Sequence, residues 1–75
     1  MPKFLLNCVR NGRWVRVWRD GRGRNSEIVV QIWNRAEPVG EPDGDWAMPG
    51  VLGVSAAVAQ AELQTPAAKP EIPDA

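Results

Sequence analysis

The sequence predicts a small, mainly β domain of the α+β kind: a three-stranded antiparallel meander, one short C-terminal helix and an extended Pro-rich tail. Three observations carry that expectation. An Asn-Gly pair sits between two apolar runs, a Gly-rich turn leads into a third run rich in β-branched residues, and a single alanine-rich stretch follows near the C-terminus.

Residues 3–10, KFLLNCVR, read as the first strand. Asn11-Gly12 then marks a two-residue hairpin loop, because a type I′ turn needs positive φ at both central positions and these two residues adopt it most easily. Residues 13–19, RWVRVWR, supply valine and tryptophan for the second strand. The stretch from Asp20 to Asn25 is a turn by composition, and residues 27–34, EIVVQIWN, form the third strand. Residues 1–35 therefore make the sheet.

A two-residue loop fixes the pairing: Arg10 opposite Arg13, Val9 opposite Trp14, Cys8 opposite Val15, Leu6 opposite Val17 and Leu5 opposite Trp18. Side chains alternate between faces. One face then collects Phe4, Leu6, Cys8, Val15, Val17, Ile28, Val30 and Ile32, the expected core. The other collects Leu5, Asn7, Val9, Trp14, Arg16, Trp18, Val29, Gln31 and Trp33. A slip of one residue would put Asn7 among the valines, which disfavours it.

Residues 36–50 contain three prolines, three glycines and four acids, and read as a long loop of successive turns with Trp46 as its anchor. Residues 51–64, VLGVSAAVAQAELQ, are the helix candidate, with Ser55 as a possible N-cap and Thr65-Pro66 as the stop. Two stripes are available to it, Val51/Val54/Val58 and Leu52/Ala56/Ala59/Leu63. So short a helix is marginal alone and needs a surface to pack on. Residues 65–75, TPAAKPEIPDA, read as a semi-extended arm.

The chain has 75 residues, one cysteine and no histidine or tyrosine. An internal disulfide is thereby excluded, as is a zinc site built on cysteine and histidine. Chains this short bury only about 60% of their unfolded surface, so self-association or docking on a protein partner is the natural expectation. No catalytic, cofactor-binding or metal-ligating set is expected. Cys8 falls on the apolar face, where a thiol is a small hydrophobe. Asp43 and Asp45 lack the ligand spacing of a calcium loop, and Gly21-Arg22-Gly23-Arg24 lacks the pattern of a phosphate loop. No apolar run is long enough for a secretory leader or a membrane span. The lone thiol points to a reducing, intracellular setting.

Charge is divided. Residues 1–37 hold Lys3 and seven arginines against three acids, a net +5, while residues 38–75 hold Lys69 against six acids, a net −5. The distinctive feature is the face bearing Trp14, Arg16, Trp18 and Trp33, because tryptophan and arginine dominate binding hot spots. Trp46 and the turn arginines Arg22 and Arg24 are added as candidate partner contacts.

The expected function is therefore non-enzymatic: a small structural subunit that docks on a larger protein assembly, for example a virion accessory or cement-like component, by its Trp/Arg face and C-terminal arm. The alternatives are a nucleic-acid-binding module, which six arginines between positions 10 and 24 would suit, and a small inhibitor of a larger protein.

Overall fold

The computed structural model describes residues 3–21 and 25–65, with side-chain detail from Leu5 onward. Four strands and one helix follow in order: β1 (Lys3–Arg10), β2 (Arg13–Asp20), β3 (Glu27–Trp33), β4 (Gly44–Pro49) and α1 (Val54–Gln64). The strands form one antiparallel sheet in sequence order. The molecule is mainly β, as expected, but the meander has four strands and not three.

The first hairpin turns as its sequence requires. Asn11 and Gly12 both have positive φ, 54° and 77°, and Cys8 faces Val15 while Arg10 faces Arg13. The expected pairing breaks at one point. Phe4 and not Leu5 stands opposite Trp18, with a register shift between Phe4 and Leu6. Leu5 is the extra residue of a bulge, which lets its side chain pack against the core cluster. The assignment of Leu5 to the tryptophan face is corrected accordingly.

β4 is the main departure. Its sequence, GDWAMP, lies inside the segment expected to be loop. Gly and Pro hid it, yet both have reasons to be there. Pro49 ends an edge strand, where a missing N–H costs no ladder bond. Gly44 faces the Thr65 side chain, and a Cβ at this position would collide with Thr65 Oγ1 and Cγ2. The alternation is regular once seen: Gly44, Trp46 and Met48 face inward, while Asp45 and Ala47 face out.

The helix begins at Val54 and not at 51. Gly53 is the N-cap, with extended backbone and no side-chain cap bond, so Ser55 does not serve as the cap. Thr65 closes the other end, its N–H donating to the Ala61 carbonyl at 2.8 Å. Ala57, Val58 and Ala61 are fully buried, with Val54 beside them. This is the i, i+3, i+4, i+7 stripe of an amphipathic helix. Of the second stripe, the helical members point to water, Leu63 being 87% exposed and Ala56 and Ala59 exposed as well, whereas Leu52 packs against the core ahead of the helix and Val51 of the first stripe is exposed.

The helix lies on the aliphatic face. Val15, Val17, Ile28, Val30 and Ile32 are completely buried beneath it, joined by Met48, with Leu5, Leu6, Trp46, Leu52 and Val54 around them. Its principal neighbours are β3 and β4. Small alanine side chains on the helix allow a close approach to the β-branched side chains below. Two buried polar side chains stitch this layer together. Thr65 Oγ1 accepts from Trp46 Nε1 at 3.0 Å and donates to the Ala61 carbonyl at 2.6 Å. Ser26 Oγ accepts from Arg19 Nη1 at 3.0 Å, and the same guanidinium nitrogen donates to the Gly50 carbonyl at 3.2 Å. The β2–β3 connection is thus braced to the junction between β4 and the helix.

Candidate functional site

The helix occupies one face of the sheet, so the face of interest is the reverse. Alternation and register set its contents in rows across the strands. One row runs Val9, Trp14, Trp33. The next runs Asn7, Arg16, Gln31, Asp45, and the third brings Trp18, Val29 and Ala47 together. A polar row thus lies between two apolar ones.

The tryptophans on this face are not equivalent. Trp33 is only 3% exposed. The segment 34–43 curls over it: the Gly40 carbonyl accepts from Trp33 Nε1 at 3.0 Å, and Asn34 N–H donates to Asp43 Oδ2 at 2.7 Å. The neighbouring strand is held by the same segment, since Trp14 N–H donates to the Arg35 carbonyl at 2.7 Å. Trp33 is therefore the floor of the face and not a surface anchor. Trp14 and Trp18 are half-buried, as is Arg16. Val9 is 46% exposed, and Asp45 and Ala47 are exposed.

Arg16 sits at the centre. Its guanidinium carbon lies 5.1 Å from the centroid of the Trp33 ring. A cation over an indole face gains about 0.5–2 kcal/mol, more as water is excluded. Arg16 Nε and Trp14 Nε1 are both enclosed without an acceptor among the described residues. The stack on Trp33 gives the centre of the face a planar cation. At the other side of the row, Gln31 Nε2 donates to Asp45 Oδ2 at 3.4 Å.

The remaining expected contacts fall elsewhere. Trp46 is on the helix side, packed against the core and bonded to Thr65. It anchors its segment, but within the chain's own interior. Arg22 and Arg24, together with the arm beyond Thr65, lie outside the described residues. Cys8 is a half-buried free thiol. No group of three or more Cys, Asp or Glu side chains among the described residues could hold a metal ion, and no helix among them is long and apolar enough to cross a membrane.

The other arginines are partly accounted for within the chain. Arg19 is directed to Ser26 and Gly50. Arg10 Nη2 stands 3.9 Å from Glu62 Oε1 at the surface, and Asn11 Nδ2 is 3.5 Å from Glu62 Oε2. Such exposed contacts contribute little to stability, but they place one acid of the C-terminal half, Glu62, beside the basic hairpin.

Compared with models of known protein families, with curated proteins and with solved structures, the chain matches none.

Proposed function

We propose that the chain is a non-enzymatic docking protein that lays the face centred on Trp14, Arg16 and Trp18 against a protein partner. One observation carries this: the aliphatic face is already closed by the helix, while Trp14, Arg16 and Trp18 lie on the reverse face, outside that core cluster and only half-buried. Aromatic rings beside an arginine are the groups most often found at the energetic centre of protein interfaces. A small accessory or cement-like subunit of a virion or another large assembly has this economy of parts.

The nucleic-acid reading is less favoured. Arg19 turns to the helix side, Arg10 stands beside Glu62, and Asp45 shares the face with Arg16. A backbone-binding surface needs its cations free and its acids held away.

Replacing Trp18 tests the proposal. Because Trp18 is only half-buried, Trp18→Ala is expected to lower the stability of the full chain by about 1–2 kcal/mol, less than the loss of a fully buried aromatic. The same variant is expected to abolish docking, read by sizing or affinity capture. A Trp18→Ala chain that cannot fold would make the face an internal core. Retention of the wild-type chain by an oligonucleotide, falling steeply with salt, would favour the alternative.

A further inference from the structure

The rows of the indole face change character from one side of β3 to the other. On the β2 side stand Arg16 and Trp18, one cationic and one bulky. On the β4 side, at the same heights, stand Asp45 and Ala47, one anionic and one small, both exposed. Gln31 and Val29 lie between them on β3. A two-fold axis running along β3, midway between two sheets packed face to face, exchanges the β2 and β4 positions at each height. Arg16 of one copy then meets Asp45 of the other, and Trp18 meets Ala47, twice over. Gln31 and Val29 meet their own counterparts on the axis. We infer that this face binds a second copy of the chain, as an isologous pair of sheets joined by two reciprocal Arg16–Asp45 contacts and two Trp18-over-Ala47 contacts.

This deepens the docking proposal and rests on it, naming the partner of the same face. Self-complementarity is what a two-fold interface requires, since each patch must fit itself after rotation. Facing sheets pack about 10 Å apart with their strands within about 30° of alignment, a gap that side chains from both sides fill. A large residue opposite a small one fits that gap better than two large ones. A two-fold axis across the strands at the height of the Arg16 row would set Arg16 against Arg16, and like charges in contact oppose association; at the next height it would set Arg16 against Trp18 and leave Asp45 without a cation opposite it.

The segment 34–43 over Trp33 bounds the contact at one end. Glu27 meets its counterpart at the other, in the solvent-exposed rim, where salt screens the repulsion. Between these limits, three strands about 4.8 Å apart and five residues of about 3.3 Å give a flat footprint of roughly 250 Å² per copy. Side-chain relief adds to it, but the contact stays well below the roughly 800 Å² per partner of a standard stable interface. The pair is therefore reversible and concentration-dependent.

The test is sedimentation velocity or light scattering of the full chain from about 10 μM to about 1 mM, a range suited to a weak complex. Wild type is compared with Arg16→Glu, with Asp45→Arg, and with an equimolar mixture of the two variants. The wild-type mass is expected to rise with concentration from 8.3 kDa toward twice that value. Each variant alone faces like charges at both contacts, and its dimer is expected to be weaker by at least about tenfold. Mixing them restores opposite charges at both contacts, so the mixture is expected to recover the dimer as a heterodimer.

Arg16→Glu also loses the stack on Trp33. Should it fail to fold, Asp45→Arg and Ala47→Trp decide, since both replace exposed residues of β4 and both are expected to give monomers. A wild type that stays at the monomer mass throughout, or an Asp45→Arg chain that dimerises as wild type does, overturns the inference. If the wild type is monomeric yet captures another protein in a Trp18→Ala-sensitive way, the second copy is excluded while the docking face stands. A Trp18→Ala chain that does not fold removes both.

Discussion

At the scale of single residues, the four tryptophans show how one residue type takes three roles. Parity along the strands separates Trp14, Trp18 and Trp33 from the buried valines and isoleucines, and this was legible from the Asn-Gly turn for β2 and from the alternation of residues 27–34 for β3. Which indole would be covered was not, because that depends on where residues 34–43 go after β3 ends. Trp33 is roofed by that segment and carries the Arg16 stack, so it behaves as core although it belongs to the outer face. Trp33→Ala is expected to cost about 3–5 kcal/mol, the range for a buried aromatic. A domain of this size has roughly 4–11 kcal/mol in total. Urea unfolding followed by circular dichroism is expected to show a largely lost or strongly shifted transition. Leu63→Ala, on the solvent side of the helix, is expected to leave the midpoint within about 0.5 kcal/mol of wild type.

At the scale of elements, composition misled in one place and for a specific reason. β4 is built of residues that usually break strands, because its ends meet other parts of the chain at close range. Gly44 makes room for Thr65, and Gly50 makes room for Ser26, whose backbone oxygen a Cβ would approach to 2.5 Å. The inward Trp46 and Met48 were the available signal, two large apolar residues two apart, but Pro42 and Pro49 on either side concealed it. The helix start was misread for a related reason. Ser55 has the chemistry of a cap, whereas Gly53 has the position, and its carbonyl accepts the first helical bond from Ala57 at 3.0 Å. The two glycines that flank this junction should then respond oppositely to replacement. Gly50→Ala is expected to destabilise by about 1–3 kcal/mol, the cost of forcing an atom into a filled space. Gly53 has open space around its Cβ position and an ordinary φ of −72°. Gly53→Asp supplies the missing side-chain cap and a negative charge at the helix start, and is expected to stabilise by up to about 1 kcal/mol. Chemical denaturation of both variants checks the pair.

At the scale of the whole molecule, the split between a basic and an acidic half becomes a spatial pattern, with Arg16 on β2 and Asp45 on β4 of one sheet. The sheet cannot keep its aliphatic face dry by itself. Ala57, Val58 and Ala61 complete that layer, so a chain ending at Leu52 is expected to lose cooperative unfolding and the protection of its amide protons in hydrogen exchange. The same dependence governs synthesis. The valines and isoleucines of the first three strands emerge from the ribosome long before the residues that shelter them. During that interval the nascent hairpin is sticky, and its arginines at 10, 13, 16 and 19 fall at every third position. Charges interrupting an apolar stretch are gatekeepers against aggregation. The guanidinium that stacks on an indole in the folded chain is thus also one of the charges that break up this apolar stretch before the helix covers it.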